Sequence, residues 1–323
     1  MLISENDPLA PALAVRPAIS RQTLGMISVA AGVSVFTIQD VIVKTLSSTY
    51  PVHEIVVLRS VVAFPILVWV TYAEQRGHIK MHRGLLHLAR GLILYVSYTC
   101  YYLGLARLPM ADVIALTFTV PLFVTVLGVA VLGERVRARR WLALGAGFIG
   151  VLIILRPGIG LFEPAALLPI GSALAYATSA VMARRLGSTE SGGAMALTAT
   201  GAYIAGGALT AALLAGIAPP AGAEESIRFL LNPWIWPSSL ELVLMTLCGC
   251  IAAFGFFCLS QGYRLSEAYR AAPCEYAALP WGVLWGYLFF GNTPDAVMIL
   301  GALIIMGAGL YTLQPDSPAR RQS

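Results

Sequence analysis

Long apolar runs recur ten times along this chain, and they leave it few ways to fold. They extend from Leu24 to Leu46, Glu54 to Ala73, Gly84 to Leu105, Ala111 to Leu132, Trp141 to Leu155, Ala165 to Met182, Ala194 to Ile217, Leu242 to Ser260, Ala271 to Phe290 and Ala296 to Leu313. Most approach the roughly 20 residues with which a helix crosses about 30 Å of hydrocarbon, although Trp141 to Leu155 is short. In lipid only helices and closed barrels satisfy their own backbone, and unbroken runs exclude the alternation of barrel strands. With 58% hydrophobic and 11% charged residues, the chain lacks the polar surface a soluble domain needs. The expected fold class is an all-α membrane protein with ten transmembrane helices.

A helical-hairpin pattern occurs twice. Leu108 to Gly158 reads as two spans joined by Leu132-Gly-Glu-Arg-Val-Arg-Ala-Arg-Arg-Trp141, and Ala271 to Leu313 as two more joined by Phe290-Gly-Asn-Thr-Pro-Asp295. Aligning Gly133 with Gly291 brings Gly145 near Gly301. Five spans are an odd number, so a second copy enters the membrane from the opposite side and the repeats are inverted. The expected organisation is a flexible cytoplasmic tail at 1–22, five-helix repeats at 23–158 and 159–314, and a second tail at 315–323.

Orientation follows from basic residues. With the N-terminus in the cytoplasm, fifteen of the 21 fall on the inside: Arg16, Arg21, Arg76, Lys80, Arg83, Arg135, Arg137, Arg139, Arg140, Arg184, Arg185, Arg264, Arg270, Arg320 and Arg321. Only Arg107, Arg156 and Arg228 fall outside, and Lys44, Arg59 and Arg90 lie within spans. This bias places both termini in the cytoplasm, and the expected location is the cytoplasmic, or inner, membrane. The net charge of +5 then needs no nucleic-acid partner. Residues 1–22 do not read as a cleaved signal, because no small-residue site separates them from a short apolar core. The five cysteines lie in spans as small apolar residues, and Cys248-Gly-Cys250 has no second pair to complete a zinc site. No metal or cofactor is expected. The longest connector, Ala218 to Glu241, carries two tryptophans among prolines, which fits an external segment anchored in the interface or a lid.

Leu108-Pro-Met-Ala-Asp112, Pro121-Leu-Phe123, Leu132-Gly-Glu134, Gly147-Phe-Ile-Gly150 and Arg156-Pro-Gly158 resemble the first half of a ten-span drug/metabolite transporter of the EamA type. Ala272-Pro-Cys-Glu-Tyr276, Leu279-Pro-Trp281, Phe290-Gly291 and Gly307-Ala-Gly309 resemble the second. Asn292 departs from the repeat by standing where Glu134 stands in the first copy. Glu134 itself, among four arginines, reads as an organiser of the hairpin. The resemblance implies a central cavity lined mainly by spans one, three, four, six, eight and nine, and solutes ranging over amino acids, riboflavin-like compounds and S-adenosylmethionine.

Ionisable groups within spans are costly and mark candidate sites. Asp40 and Lys44, four residues apart, share a helix face and either neutralise each other or serve a solute and a coupling ion. Lys44 and Arg59 either line an external vestibule for anionic or zwitterionic solutes or snorkel to headgroups. On the third span Arg90, Ser97 and Tyr101 fall on one stripe, with Tyr95 and Tyr102 on a second and Tyr98 also polar. This span reads as cavity wall, the alternative being interhelical hydrogen bonding. Glu275 lies at a depth like that of Arg90, either as a proton-coupling group or in a fixed ion pair. Gly282 and Gly286 form a GxxxG contact beside an aromatic ridge of Trp281 and Trp285. Thr117 and Tyr176 complete the candidate cavity. Pro121 and Pro280, at corresponding places, are expected to kink their spans, as hinges or as packing features.

These features favour a secondary transporter that moves a small amino acid-like, aromatic or heterocyclic anion or zwitterion by alternating access. Broad-specificity efflux is the second reading. An intramembrane enzyme is the remote one, because HExxH and GxSxG are missing, and the lack of a P-loop leaves only solute or ion gradients as a driving force. The expected partners are the solute and the lipid bilayer, with protons and a second copy of the chain as further candidates.

Overall fold

The computed structural model describes residues 20–75, 83–133, 138–156, 163–186, 192–265 and 272–313. Among them there is no strand, and each of the ten apolar stretches is helical. The helices are α1 (Arg21–Leu46), α2 (Val52–Glu74), α3 (Gly84–Arg107), α4 (Met110–Thr117), α5 (Val120–Leu132), α6 (Ala138–Leu155), α7 (Leu167–Leu186), α8 (Gly192–Leu214), α9 (Glu225–Leu231), α10 (Ser239–Leu265), α11 (Ala278–Phe290) and α12 (Ala296–Leu313). Short 3-10 segments, Pro164–Ala166 and Ala272–Ala277, precede α7 and α11. Six helical segments of the described residues are long and apolar enough to cross a membrane: Arg21–Leu46, Val52–Glu74, Met110–Val131, Pro164–Ala183, Gly193–Leu214 and Ser239–Leu259. Trp141–Leu155 and Ala296–Tyr311 are apolar but shorter. α1 starts inside the expected tail because Ser20 caps it, accepting from Thr23 N at 3.0 Å. α9 is a helix the sequence reading missed. Seven residues within a proline-flanked connector give too short a window for periodicity, yet its Phe229 is fully buried.

Expected kinks at the prolines are replaced by breaks. α4 ends at Thr117 and α5 begins at Val120, so Pro121 occupies the first turn of a new helix. Pro280 likewise sits in the first turn of α11, after the 3-10 segment. In that position the missing N–H would have been unpartnered anyway, so proline is tolerated and the interruption lies just before it. Phe118, in the first break, packs edge-on against Tyr276 of the 3-10 segment at 4.7 Å between centroids. The aligned glycines Gly133 and Gly291 both close their helices in the left-handed region, at φ 70° and 66°.

Helices from the two halves interleave. α1 packs along α10 and α3 along α7; α2 packs on α8 and α10, α3 on α8, α5 on α7, α1 on α11, α4 on α11 and α6 on α12. Small residues permit these approaches. A Cβ at Gly249 of α10 would lie 2.6 Å from the Arg59 carbonyl oxygen, and one at Gly282 would lie 2.3 Å from Ile114 Cδ1. The largest buried cluster joins Leu46, Tyr50, Val52, Ile55, Leu105, Leu108 and Phe229 at one end of the bundle.

The same end is ion-paired. Arg107 meets Glu163 at 3.3 Å and Glu225 at 3.1 Å, Arg156 bonds Asp295, and Asn232 Nδ2 donates to Thr49 O at 3.5 Å. The residues Glu134, Arg135, Arg137, Arg76 and Arg270, most of the first tail, the whole of the second and the junction at Gly158 lie outside the described residues.

Gly249→Val should force α2 and α10 apart at a cost of about 1–3 kcal/mol. Gly171→Ala, within α7 where a Cβ meets nothing within 4 Å, should hold or slightly raise the melting temperature in detergent, with about 0.4–1 kcal/mol of added helix stability. Asp295 also accepts from Met298 N at 2.7 Å, and Arg156 with that N–H holds its carboxyl below the usual range. Its contribution is therefore complete at neutral pH and disappears as pH falls through the depressed pKa. Asp295→Asn keeps the helix cap and loses the charge, so its melting temperature at neutral pH should be lower and its decline below about pH 4 shallower than wild type.

Candidate functional site

The centre of the bundle holds a cluster of polar side chains that no single helix could satisfy. On α1, Asp40 is 6% exposed and accepts two phenolic hydrogen bonds from α3: Tyr102 to Oδ1 at 2.7 Å and Tyr101 to Oδ2 at 2.9 Å. Gln39 Nε2 donates to the Tyr102 hydroxyl at 2.9 Å, so amide, phenol and carboxyl form a chain. Tyr102 packs on Tyr98 at 4.3 Å and on Tyr101 at 5.0 Å.

Arg59 of α2, 2% exposed, faces the same cluster. Its guanidinium carbon stands 4.0 Å from the Tyr98 ring centroid and 5.3 Å from that of Tyr203 on α8. Asp40 is within electrostatic reach of Arg59, and Cys248 of α10 within reach of both, but the carboxyl bonds the tyrosines instead. Arg59 Nε and Nη2 and Gln39 Oε1 are buried with no hydrogen-bond partner. The cluster draws on α1, α2 and α3 from one half and on α8 and α10 from the other. At about 1.5 Å per residue, Asp40 and Arg59 lie roughly 9 to 11 Å in from the ion-paired end.

Other expected site residues divide in their environments. Lys44 and Arg59 have different surroundings. Lys44 Nζ donates to the carbonyls of Leu105 and Leu108 and sits 5.3 Å from the Phe290 ring centroid, so it caps the C-terminus of α3 with the charge that the helix end favours. The Arg90, Ser97 and Tyr101 stripe is divided among three partners. Ser97 donates to Ser172 O of α7 at 2.9 Å, Arg90 Nη1 to Met195 O of α8 at 3.3 Å, and Tyr101 to Asp40 of α1. Tyr95 donates to Thr210 Oγ1 at 2.7 Å, which leaves interhelical bonding as the description for Tyr95 and Ser97. Thr117 bonds back to Ile114 O at 2.8 Å within its own helix.

Trp281 and Trp285 stack at 5.4 Å, and Trp285 Nε1 donates to Thr37 Oγ1 of α1 at 3.1 Å. Gly282, between them in sequence, faces Ile114, so the small residue brings α11 against α4. Further from the ion-paired end, Tyr176 lies within electrostatic reach of Arg90, Tyr203 and Glu275, yet is 45% exposed. Those four come from α3, α7, α8 and the second 3-10 segment, and Tyr203 is the buried member that also covers Arg59.

The sequence reading missed Gln39, Tyr203 and Thr37. Tyr203 had a readable signal, as the one aromatic residue in α8 among alanine, glycine and threonine. Gln39 had another, since an amide beside a carboxylate inside an apolar run needs partners of its own. Among the described residues no group of three or more His, Cys, Asp or Glu side chains is arranged to hold a metal.

Residues 23–156 match the EamA-like transporter family. A riboflavin transporter of Rhizobium johnstonii is 32% identical over 98% of this chain and 99% of its own length. An S-adenosylmethionine uptake transporter of Rickettsia prowazekii is 27% identical over 87% of this chain and 89% of its own. A pseudopaline exporter of Pseudomonas aeruginosa is 27% identical over 84% and 90%. A crystal structure superposes with a TM-score of 0.57 at 17% identity, covering 90% of this chain and 94% of that one, a likeness of fold alone.

Tyr102→Phe removes the acceptor of Gln39 Nε2 and the donor to Asp40 Oδ1, leaving two buried groups unpartnered. It should destabilise the protein by about 1–3 kcal/mol. Tyr95→Phe removes one bond to a threonine that keeps its own helical acceptor, Gly206 O, and should cost about 1 kcal/mol or less. Equilibrium unfolding in mixed detergent micelles measures both.

Proposed function

Because the chain belongs to the EamA-like family of drug/metabolite transporters, we propose that it is a secondary transporter carrying a small metabolite across the cytoplasmic membrane by alternating access. The observation that carries the reading is the central polar cluster. Asp40, Arg59, Tyr98 and Tyr203 are brought together by helices of both halves, deep in an apolar bundle, with hydrogen-bonding capacity left over. Such groups in hydrocarbon usually belong to a substrate or ion path. The small-metabolite names carried by the relatives support the solute class, an anionic or zwitterionic amino acid-like, aromatic or heterocyclic compound.

In this reading the ten helical stretches are two inverted five-helix repeats. Support comes from the pairing of helices: exchanging the halves turns α1 against α10 into α7 against α3, and α2 against α10 into α8 against α3. The α2–α8 and α6–α12 contacts exchange into themselves, as contacts across a two-fold axis do. The ion-paired end is then the outer face, closed by its buried apolar cluster, and a vestibule at Arg90, Tyr176 and Glu275 opens inward. Arg90 is read as the inner solute contact and Glu275 as the proton-coupling group, with Asp40 as the second candidate. Efflux of unrelated cations is less well matched, since Arg59 and Arg90 present positive charge where such cations would pass.

Flux in proteoliposomes tests the assignment. Arg90→Ala should abolish solute-dependent flux with membrane insertion intact, and unchanged flux would remove Arg90 from the path. Glu275→Gln should abolish uptake driven by a pH gradient and retain solute exchange; unaltered proton dependence would exclude Glu275.

A further inference from the structure

We infer that the central cluster recognises a zwitterionic α-amino-acid headgroup, with the solute carboxylate on Arg59 and its ammonium between Asp40 and Gln39. The inference rests on the transport reading above and adds the chemistry of the solute. Its starting point is a guanidinium that is almost completely buried beside two adjoining aromatic rings, while one edge has nothing to bond. Tyr98 and Tyr203 occupy positions over the group at 4.0 and 5.3 Å, and the rings attract the cation without using its N–H donors. The unpartnered nitrogens, Nε and Nη2, are neighbours on one edge of the guanidinium plane. That edge is the fork onto which a carboxylate fits with two parallel hydrogen bonds.

A buried cation normally finds its counter-ion within the protein, because an unpaired one is heavily penalised. Here an anion is close by and is directed elsewhere. Asp40 gives one oxygen to each of two tyrosine hydroxyls, and those bonds hold it off Arg59. Each carboxyl oxygen retains a second lone pair, and the adjacent Gln39 contributes Oε1, a buried acceptor with no donor. Gln39 is locked in place because its Nε2 already donates to Tyr102. The cluster therefore keeps a two-donor fork and a set of free acceptors apart but within electrostatic reach. A carboxylate and an ammonium on one carbon match that pair. An uncharged heterocycle would leave Arg59 unpaired, and a simple cation would add charge beside it.

Thermal stabilisation and proteoliposome flux of the full chain test this with matched probes. They are the free α-amino acids and S-adenosylmethionine, each compared with its decarboxylated and N-acetylated forms, with riboflavin as a solute lacking the headgroup. At least one zwitterion should be carried, and loss of either charged group should weaken it roughly tenfold or more. Arg59→Gln should bring the zwitterion and its decarboxylated form to equal, low affinity. Should that variant fail to fold, the wild-type comparison of analogues alone decides. Decarboxylated or N-acetylated forms carried as well as the parent, or riboflavin carried while every zwitterion is not, would overturn the headgroup assignment and leave the transport reading standing. If a wider metabolite library yields only solutes without the headgroup, the result is the same. Absence of flux for every compound in that library would overturn both.

Discussion

A backbone amide in hydrocarbon has no water to bond, and this constraint governs where the chain can depart from a helix. Interruptions between Thr117 and Val120 and at Ala272–Ala277 occur where protein surrounds them. Thr119 is 2% exposed and returns its hydroxyl to Leu116 O, and Tyr276 is buried against Phe118. Helix ends obey the same rule. At the C-terminus of α3, Lys44 supplies donors to Leu105 O and Leu108 O, and Ser226 of α9 donates to Leu103 O. A charge that costs free energy to bury is thus used to finish a neighbouring helix.

Glycine and alanine set how closely the two halves approach, since lipid tails provide no hydrophobic drive to press apolar helices together. Gly249 lets α10 reach the backbone of α2 at Arg59, and Gly206 lets α8 reach the Tyr95 ring. These contacts bring Arg59 and Tyr203 into the same space as Asp40 and Tyr98. Packing and polar chemistry are therefore connected: without small residues at the crossings, the rings could not cover the guanidinium.

Much of the architecture was legible because hydrocarbon length and helix rise set a ruler that apolar runs either meet or do not. Helix positions, the glycine caps at Gly133 and Gly291 and the concentration of charge on α1, α2 and α3 could all be read in this way, whereas six of the described helical segments, rather than ten, reach the length and apolarity of a full crossing. What could not be read was orientation about each helix axis. Arg90, Ser97 and Tyr101 share a stripe, yet α8, α7 and α1 surround α3 so closely that one stripe meets three neighbours. Lys44 and Arg59 look alike as single charges near one end. Only tertiary packing gives one a helix terminus to cap and the other two aromatic rings as neighbours. Tyr203 sits 144 positions from Arg59, a distance over which a single sequence carries no pairing information.

The edge-on contact between Phe118 and Tyr276 has a mechanical meaning. Each ring belongs to a stretch where the α-helix is interrupted, so the two breaks lie against one another. A ring from each break thus fills the space beside the other, so a change in the backbone at one place alters the packing at both. The two interruptions, roughly 150 positions apart in the chain, are in this way keyed to one another by a single aromatic contact.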